Sequence, residues 1–371
     1  MVTCDVVVIG GGCVGASVAH HLAETGCTDV VLLEAGTLGC GSTSKAAGGI
    51  RMQHADPLNT RLARRSLDEF TNFAQLTGSE IDFKQVGYLF LIDSLADLEL
   101  FAAAGAMQRD LGIPVEQLDP AAARDLVPQL DIDGLVGASF CALDGYATPE
   151  AVVQGYAASA RRRGVRTRQG TAVSRVVVEQ GRVVGVECGE ERISAPVVVC
   201  AAGTGSVAVA ASAGVDLPVS AQSRRIFFSA QSGGVPDSIP LTVDFSSSFY
   251  FHREGPGLIF AGREFEPEDL MEPALRRLPV LGDLPITSSW YGDYEMSPDH
   301  NGMVGGCKDV AGFYYAAGFS GHGFMLSPAV GEHVAELVTG RAPTIDLTAL
   351  SADRFADSAG GAGPRLEHIV I

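Results

Sequence analysis

The chain begins with an apolar run, residues 6–9, that leads directly into the glycine-rich turn G-x-G-x-x-G at residues 10–15. Such a turn bends tightly, lets backbone N–H groups approach a pyrophosphate and allows a helix to pack closely on the strand. A helical pattern over 16–25 follows, and the next apolar run, 30–33, ends in Glu34, which can hold a ribose diol. The order of strand, glycine turn, helix, strand and acidic residue predicts a dinucleotide-binding site at the start of the chain and favours it over an ordinary glycine turn.

The length, the composition and the net charge narrow the class of protein further. A length of 371 residues with 46% hydrophobic content predicts about two domains with substantial cores. A net charge of -18 argues against binding to nucleic acid or to an anionic membrane, both of which need a basic surface. No apolar stretch is long enough for a membrane span, and the first strand starts close to Met1, so we expect no signal peptide and a cytoplasmic protein.

Metal and disulfide sites are not indicated by the sequence. The eight cysteines contain no C-x-x-C pair, and several lie in apolar runs, which favours small buried thiols. His20 and His21 are adjacent on the first predicted helix, where we expect their side chains to point in different directions. We therefore predict no metal site.

The middle of the chain alternates between two kinds of region. Residues 39–49 are too rich in glycine and serine for an element interior and predict a loop over a ligand. A helix is predicted over 57–76, a strand over 83–92 and an amphipathic helix over 94–111. These last two elements begin a second region that does not bind the nucleotide.

The chain then returns to the nucleotide region. Thr148 and Pro149 are a helix cap and first-turn pair for a helix that runs to Gly164. Two strands follow, near 171–178 and 183–187, and the apolar run 195–203 is typical of a central parallel strand buried on both faces.

The last third contains a predicted antiparallel sheet. Short β-like runs separated by glycine and proline occupy 225–264. An apolar strand over 312–318 is followed by the turn 321–328, which leads into a helix over 329–338.

The fold class predicted is α/β, with a Rossmann-like nucleotide-binding domain and an interleaved antiparallel-sheet domain for the substrate. The boundaries we predict are 1–80, 145–215 and 296–350 for the first domain, 81–144 and 216–295 for the second, and 351–371 for a C-terminal tail.

Six motifs, spread over nearly the whole chain, together resemble the D-amino acid oxidase superfamily of FAD enzymes, more narrowly its glycine oxidase, sarcosine oxidase and sarcosine oxidase β-subunit-like branch. They occupy 8–15, 41–51, 144–149, 198–203, 294–299 and 317–324. The last is the most specific. The resemblance implies that FAD is buried in the nucleotide domain, with substrate held over its isoalloxazine ring by the antiparallel sheet.

The resemblance also implies a set of cofactor contacts. Glu34 would hold the adenosine ribose, and the hydroxyls of 42–44 would lie against the pyrophosphate. Val173 stands where family members bond adenine through the backbone, although simple core packing explains it equally well. His322 lies in the turn at the flavin's pyrimidine edge, or serves only as a helix cap. The full predicted set is Gly10, Gly12, Cys13, Val14, Gly15, Glu34, Ala35, Ser42, Thr43, Ser44, Ala47, Gly48, Gly49, Val173, Ala201, Ala202, Gly203, Gly321, His322, Gly323, Phe324 and Met325.

The substrate side of the resemblance rests on four residues. Arg51 stands where related enzymes bind the substrate carboxylate, with a contact to flavin or to a surface acid as the alternative. Tyr250, His252 and Arg263 lie on the strands expected to roof the flavin, where they could orient substrate or tune amine protonation. His252 could instead be a satisfied sheet histidine.

Three positions depart from the sarcosine oxidase pattern. Gly292 replaces the cysteine that anchors flavin, so we expect noncovalent FAD. Met325 replaces a lysine that helps to bind the carboxylate. Ile259 replaces a lysine that activates oxygen, which favours a dehydrogenase or a slow oxidase unless an arginine such as Arg263 substitutes.

The function implied is FAD-dependent oxidation of an amine or amino acid, most simply a secondary or N-alkyl amino acid, by hydride transfer from the α-carbon to flavin N5. Two alternatives stay open. The chain could be a flavin-bound β-type subunit with little activity alone, which would need a partner subunit or an electron-acceptor protein. It could also oxidise a 2-hydroxy acid, with His252 as the base.

Overall fold

The computed structural model describes residues 2–263, 266–356, 367 and 369. The helices are α1 (Cys13–Glu24), α2 (Pro57–Thr71), α3 (Phe73–Thr77), α4 (Leu95–Asp110), α5 (Pro120–Leu126), α6 (Pro149–Arg162), α7 (Ser206–Ser212), α8 (Pro267–Arg277) and α9 (Gly323–Val338). The strands are β1 (Val2–Thr3), β2 (Val6–Ile9), β3 (Val30–Leu33), β4 (Gly49–Ile50), β5 (Tyr88–Ile92), β6 (Val115–Leu118), β7 (Gly137–Cys141), β8 (Gly145–Tyr146), β9 (Arg166–Arg168), β10 (Arg175–Glu179), β11 (Arg182–Cys188), β12 (Glu191–Ser194), β13 (Val197–Cys200), β14 (Ser220–Ser229), β15 (Leu241–Asp244), β16 (Phe249–Glu254), β17 (Gly257–Ala261), β18 (Ile286–Met296), β19 (Met303–Gly306) and β20 (Phe313–Ala317).

The first predicted domain is built on a six-stranded sheet with the order β19-β20-β13-β2-β3-β9. All neighbours in it are parallel except β19 and β20, and β2 pairs in register with both β13 and β3. The central strands are short apolar runs buried on both faces, as parallel sheets require. Helices α1, α6 and α9 pack together against this sheet. The predicted α/β class with a Rossmann-like sheet is confirmed.

Two glycines in the first turn have no tolerance for a side chain. Gly10 has a φ of +107°, and a Cβ there would lie 2.2 Å from the carbonyl oxygen of Ala201. A Cβ on Gly15 would lie 1.9 Å from the carbonyl oxygen of Gly10. The motif therefore fixes how closely α1 approaches β2 and β13.

The second predicted domain is built on an eight-stranded sheet with the order β18-β14-β17-β16-β15-β5-β7-β6. Its strands are antiparallel neighbours except β5 and β15, which are parallel because the intervening chain passes through the other domain. The predicted strand over 83–92 is shorter, starting at Tyr88, and Lys84 makes only an isolated bridge with Tyr146. A separate four-stranded sheet, β1-β12-β11-β10, takes three strands from the predicted 145–215 segment and β1 from the start of the chain, and β4 pairs with β8.

Two predicted helices have different bounds in the structure. The helix over 57–76 is divided into α2 and α3 at Asn72. Helix α9 begins at Gly323, so Pro328 lies inside it and not before it. Proline cannot donate to the carbonyl of Phe324, and the hydroxyl of Ser327 donates to that carbonyl at 2.8 Å in its place. Most of the predicted tail lies outside the described residues.

Candidate functional site

A cavity of about 470 Å³ lies at the carboxyl edge of the six-stranded sheet. It is lined by the residues that follow β2, β3 and β13, by the turn before α9, and by the faces of β14, β16 and β18. The carboxyl ends of parallel strands are where such sheets bind ligands. All predicted cofactor residues line this cavity except Gly15, which packs behind the first turn, and Ser44, whose hydroxyl donates to Gly41.

Two helix N-termini point their backbone donors at this cavity. Helix α1 starts after Gly12 and helix α9 starts after His322, and neither has a side-chain cap. The N–H of Cys13 donates to Oγ1 of Thr43 at 3.1 Å, which ties the loop over the cavity to α1. Uncapped N–H groups and the positive ends of two helix dipoles favour an anionic ligand.

Glu34 is held rigidly at the end of β3. Its Oε2 accepts from the N–H of Gly11 and its Oε1 from the N–H of Gly36, both at 2.7 Å. The segment after β9 lies next to it, since the N–H of Thr171 donates to the Glu34 carbonyl at 2.8 Å. This places the predicted Val173 at the same end of the cavity.

The opposite end of the cavity is lined by a cluster of tyrosines and arginines, which we call the substrate end: Arg51, Tyr88, Arg224, Tyr250 and Tyr294. Burial raises the pKa of Tyr250 well above its usual value and also raises the pKa of Tyr88 and of Tyr294. All three phenols therefore stay protonated at neutral pH and can form hydrogen bonds without acting as bases.

Arg51 is the most buried cation of this end, with 1% of its surface exposed. Its Nη2 donates to Nε2 of His322 at 3.0 Å and to the carbonyl of Ile369 at 2.7 Å, and its Nη1 donates to the carbonyl of Gln53. Its buried Nε has no partner among the described residues. Burial and the Arg51 charge hold the pKa of His322 well below its usual value, so this ring accepts from Arg51 and does not cap α9.

Two of the four predicted catalytic residues lie outside the cavity. The Nε2 of His252 faces the carbonyl of Ala47 at 3.0 Å, its Nδ1 faces the carbonyl of Arg253 at 2.8 Å, and its ring lies 4.2 Å from that of Tyr146. Burial lowers the pKa of His252 to about 4. Arg263 is exposed and donates to Ser248 at 3.2 Å. Neither side chain lines the cavity, and the catalytic roles of both stay predictions.

Besides Tyr88 and Tyr294, sequence reasoning missed four acidic or basic groups at or next to the cavity. Lys45, Arg224 and Glu295 line it. Lys45 lies in the motif 41–51 and Glu295 in the motif 294–299, so membership of these motifs could have identified both residues as candidates. Arg224 lies on β14 with its guanidinium 5.5 Å from the ring of Tyr294, and no motif marks it. Glu367 had no signal either, although its carboxylate is buried against His54 at 3.2 Å.

The expected divergence of His20 and His21 is wrong. Their rings lie 5.0 Å apart, and together with Glu69 they bring three possible metal ligands within 4.8 Å of one another. Glu69 already accepts from Tyr156 at 2.7 Å and faces His21 at 3.2 Å and Arg65 at 3.4 Å. Burial opposes the charge of Glu69, but these neighbours lower its pKa to about 2, which identifies a buried ion-pair network among α1, α2 and α6.

The sheet, the glycine turn and the paired helix N-termini define a dinucleotide-binding α/β protein with a second sheet that also lines the cavity. The family model of the FAD dependent oxidoreductases, DAO, matches residues 5–337. The chain belongs to this family, whose cofactor is FAD, and the resemblance seen in the motifs is confirmed. Across the described residues, every helix is too short or too polar to span a lipid bilayer.

Three similar proteins illustrate this membership. The chain is 28% identical, over 94% of its length, to 4-methylaminobutanoate oxidase (formaldehyde-forming) of Paenarthrobacter nicotinovorans, of which it covers 45%. It is 29% identical, over 95% of its length, to sarcosine oxidase subunit beta of Rhizobium meliloti (strain 1021), of which it covers 88%. The crystal structure of L-proline dehydrogenase from P. horikoshii matches with a TM-score of 0.91 and 30% identity, over 96% of this chain and 98% of that one. The chain spans less than half the length of the first of these relatives.

The other end of the cavity, which we call the nucleotide end, is formed by the turn 10–15, Glu34 and the first turns of α1 and α9, and its residues fit FAD. A Cβ at Gly10 or Gly15 would collide with backbone, so the turn and the packing of α1 have the tight geometry that brings the backbone at Gly12 to the cavity. The uncapped starts of α1 and α9 supply donors for phosphate and for the electron-rich edge of a reduced ring. At Gly292, a Cβ would lie 2.5 Å from Cβ of Lys45, so this position has no room for an anchoring side chain unless the loop moves.

Proposed function

We propose that this protein oxidises a secondary or N-alkyl amino acid, using noncovalent FAD as the hydride acceptor. The observation that carries the proposal is the substrate end of the cavity, where one buried arginine stands among three protonated tyrosines and the apolar side chains of Ile226, Leu241 and Met325. This combination suits a small molecule with a carboxylate, an amine and an alkyl group. The names of the relatives, which include a methylaminobutanoate oxidase and a proline dehydrogenase, support the same class.

In this proposal Arg51 binds the substrate carboxylate. A guanidinium can bind a carboxylate with two parallel hydrogen bonds through either of two edges, and each edge uses one hydrogen of Nη2. In Arg51 both Nη2 hydrogens already have acceptors, the ring of His322 and the Ile369 carbonyl. The Nε–H has no partner among the described residues and is the donor left for a carboxylate oxygen. Arg51 therefore binds the carboxylate through one hydrogen bond and its charge, unless the Ile369 carbonyl gives way.

The tyrosines hold and orient the amine. Their rings offer π faces to an ammonium or N-alkyl group, and their hydroxyls offer hydrogen bonds without removing a proton. FAD, when bound, accepts the hydride from the α-carbon of the neutral amine. Because no base is needed for a neutral amine, positioning within the cavity supplies most of the catalysis.

The decisive experiment is anaerobic reduction of the purified holoprotein by a panel of compounds. We expect N-methyl amino acids or cyclic imino acids to bleach the flavin absorbance, with primary amino acids and 2-hydroxy acids slower. Failure of every amine to bleach the flavin would overturn the proposal. The 2-hydroxy acid alternative has no structural support, because the only base proposed for it, His252, does not line the cavity.

A second candidate is a β-type subunit that needs a partner for turnover. The observation that favours it is the similarity to sarcosine oxidase subunit beta along 88% of that chain. Flavin reduction by the isolated chain at a rate that supports turnover with an artificial acceptor would decide against this alternative.

We also propose that the protein is a dehydrogenase or a slow oxidase, because Ile259 stands where the resemblance to sarcosine oxidases places a lysine that activates oxygen. The cavity nevertheless holds a cation, Lys45, next to Gly292. Reoxidation of the reduced protein by oxygen and by a dye, measured side by side, separates an oxidase from a dehydrogenase.

A further inference from the structure

Glu295, near the end of β18, is a partly buried acid that lines the cavity and takes no part in the proposed chemistry. Its Oε2 is buried and has no hydrogen-bond partner among the described residues. Buried polar atoms in folded proteins are nearly always paired, and an unpaired one costs about 1–3 kcal/mol. This oxygen is therefore suited to a partner that enters the cavity.

The surroundings of Glu295 place it on the path of the dinucleotide. Its main-chain carbonyl accepts from the N–H of Ser320 at 2.8 Å, and its carboxyl group is near the N–H groups of Gly318 and Phe319 in the turn before α9. Its charge also affects Cys13 at the start of α1. Glu295 thus lies where the two uncapped helix starts come together.

The electrostatics around Glu295 are those of an acid without a compensating cation. Burial raises the pKa of Glu295 to about 7, and only the N–H groups of Gly318 and Phe319 oppose that rise. The thiols whose pKa its charge raises, those of Cys13 on α1 and Cys200 on β13, are neutral because burial raises the pKa of each to about 11. On β18 itself, Tyr294 stays protonated, and the carboxylate of Asp293 accepts from the hydroxyl of Ser223.

We propose that Glu295 binds FAD as a neutral carboxylic acid, donating a hydrogen bond from Oε2 to an oxygen of the cofactor. A carboxylate at this place would repel the negatively charged pyrophosphate, whereas the acid supplies a donor. When FAD binds above neutral pH, Glu295 takes up one proton from the solvent. The affinity for FAD is then constant below about pH 7 and falls about tenfold per pH unit above it.

The test uses the apoprotein and has no need of turnover. Calorimetric titration with FAD in two buffers of different ionisation enthalpy, at about pH 8, should show close to one proton taken up per FAD. Between about pH 7.5 and 9, the dissociation constant should rise about 30-fold. Proton uptake near zero in the native protein would overturn the proposal, even if every variant failed to fold.

The variants sharpen this result. Glu295→Gln keeps a donor and cannot titrate, so it should bind FAD with an affinity independent of pH and take up no proton. Glu254→Gln changes an exposed acid at the end of β16 that lies outside the cavity, and this variant should keep the native pH dependence. A pH dependence that persists in Glu295→Gln would contradict the assignment and would leave FAD binding itself intact.

A titration of the apoprotein with ADP shows which part of FAD carries the partner oxygen, because ADP has the pyrophosphate but lacks the flavin and its ribityl chain. The same pH dependence with ADP as with FAD places the hydrogen bond on a phosphate oxygen. A dependence seen with FAD and absent with ADP places it on the ribityl side.

Discussion

The two ends of the cavity are built in different ways. The nucleotide end consists largely of backbone: the turn after β2, the ends of β3 and β13, and the first turns of α1 and α9. The substrate end consists of long side chains, such as Arg51, Tyr250 and Arg224, that come from separate strands and loops. A site built from backbone groups depends on glycine and on the direction of the chain. A site built from side chains can tolerate the replacement of those side chains. The first end should therefore respond to substitution by losing cofactor, and the second by changing substrate.

The largest effect should come from a methyl group in the first turn. In Gly15→Ala, the new Cβ would meet the Gly10 carbonyl oxygen at 1.9 Å, and backbone atoms cannot rotate away as a side chain can. We expect FAD affinity to fall by about 100-fold or more, measured by flavin retention on a desalting column and by titration of the apoprotein. Gly41→Ala is the matched control, since its Cβ would have nothing within 4 Å. Equal flavin retention in the two variants would show that the close approach does not matter.

Arg51→Met should have the next largest effect, at the other end. Losing a buried charged donor should weaken a carboxylate ligand by about 10- to 100-fold, with FAD content near that of the native protein. The measurements are the dissociation constant of a carboxylate inhibitor and the half-saturation for flavin reduction. Unchanged values would remove Arg51 from substrate binding. Arg224→Met serves as the comparison, because this second guanidinium lines the same end.

Lys45→Met should have a smaller effect, limited to reoxidation. If Lys45 supplies the cation that promotes electron transfer to oxygen, oxygen reoxidation should slow by about 3- to 10-fold while dye reoxidation is unchanged. Stopped-flow traces of the reduced protein give both rates. Lys84→Met, an exposed lysine outside the cavity, is the control. Equal slowing with both acceptors would point to a general disturbance of the flavin.

His252→Asn should have the smallest effect on rate. The ring is neutral above about pH 4 because burial lowers its pKa, so it contributes no titration to the rate between pH 5 and 8. We expect the flavin reduction rate to stay within about twofold, while the melting temperature falls because the packing against Tyr146 and the bond to Ala47 are lost. A large drop in rate with native stability would restore His252 as a catalytic residue.

Much of the fold could be predicted from the chain because the signals are local. The apolar runs of β2, β3 and β13 and the turn at residues 10–15 give the parallel sheet and its ligand edge directly. Helix bounds were less predictable where side chains substitute for lost backbone bonds. Pro328 lies inside α9 because the Ser327 hydroxyl satisfies the Phe324 carbonyl, which no rule about proline alone would anticipate.

The sequence by itself determined the nucleotide end, since its donors come from consecutive backbone groups that a short motif places together. Only the tertiary structure decided which side chains share the substrate end. It turned His252 toward two carbonyls, brought Lys45 beside Gly292, and set the Arg51 guanidinium between His322 and the Ile369 carbonyl. Apart from the contact of His252 with the Arg253 carbonyl, these contacts join residues more than 200 positions apart, and their geometry depends on packing and burial that no local pattern encodes.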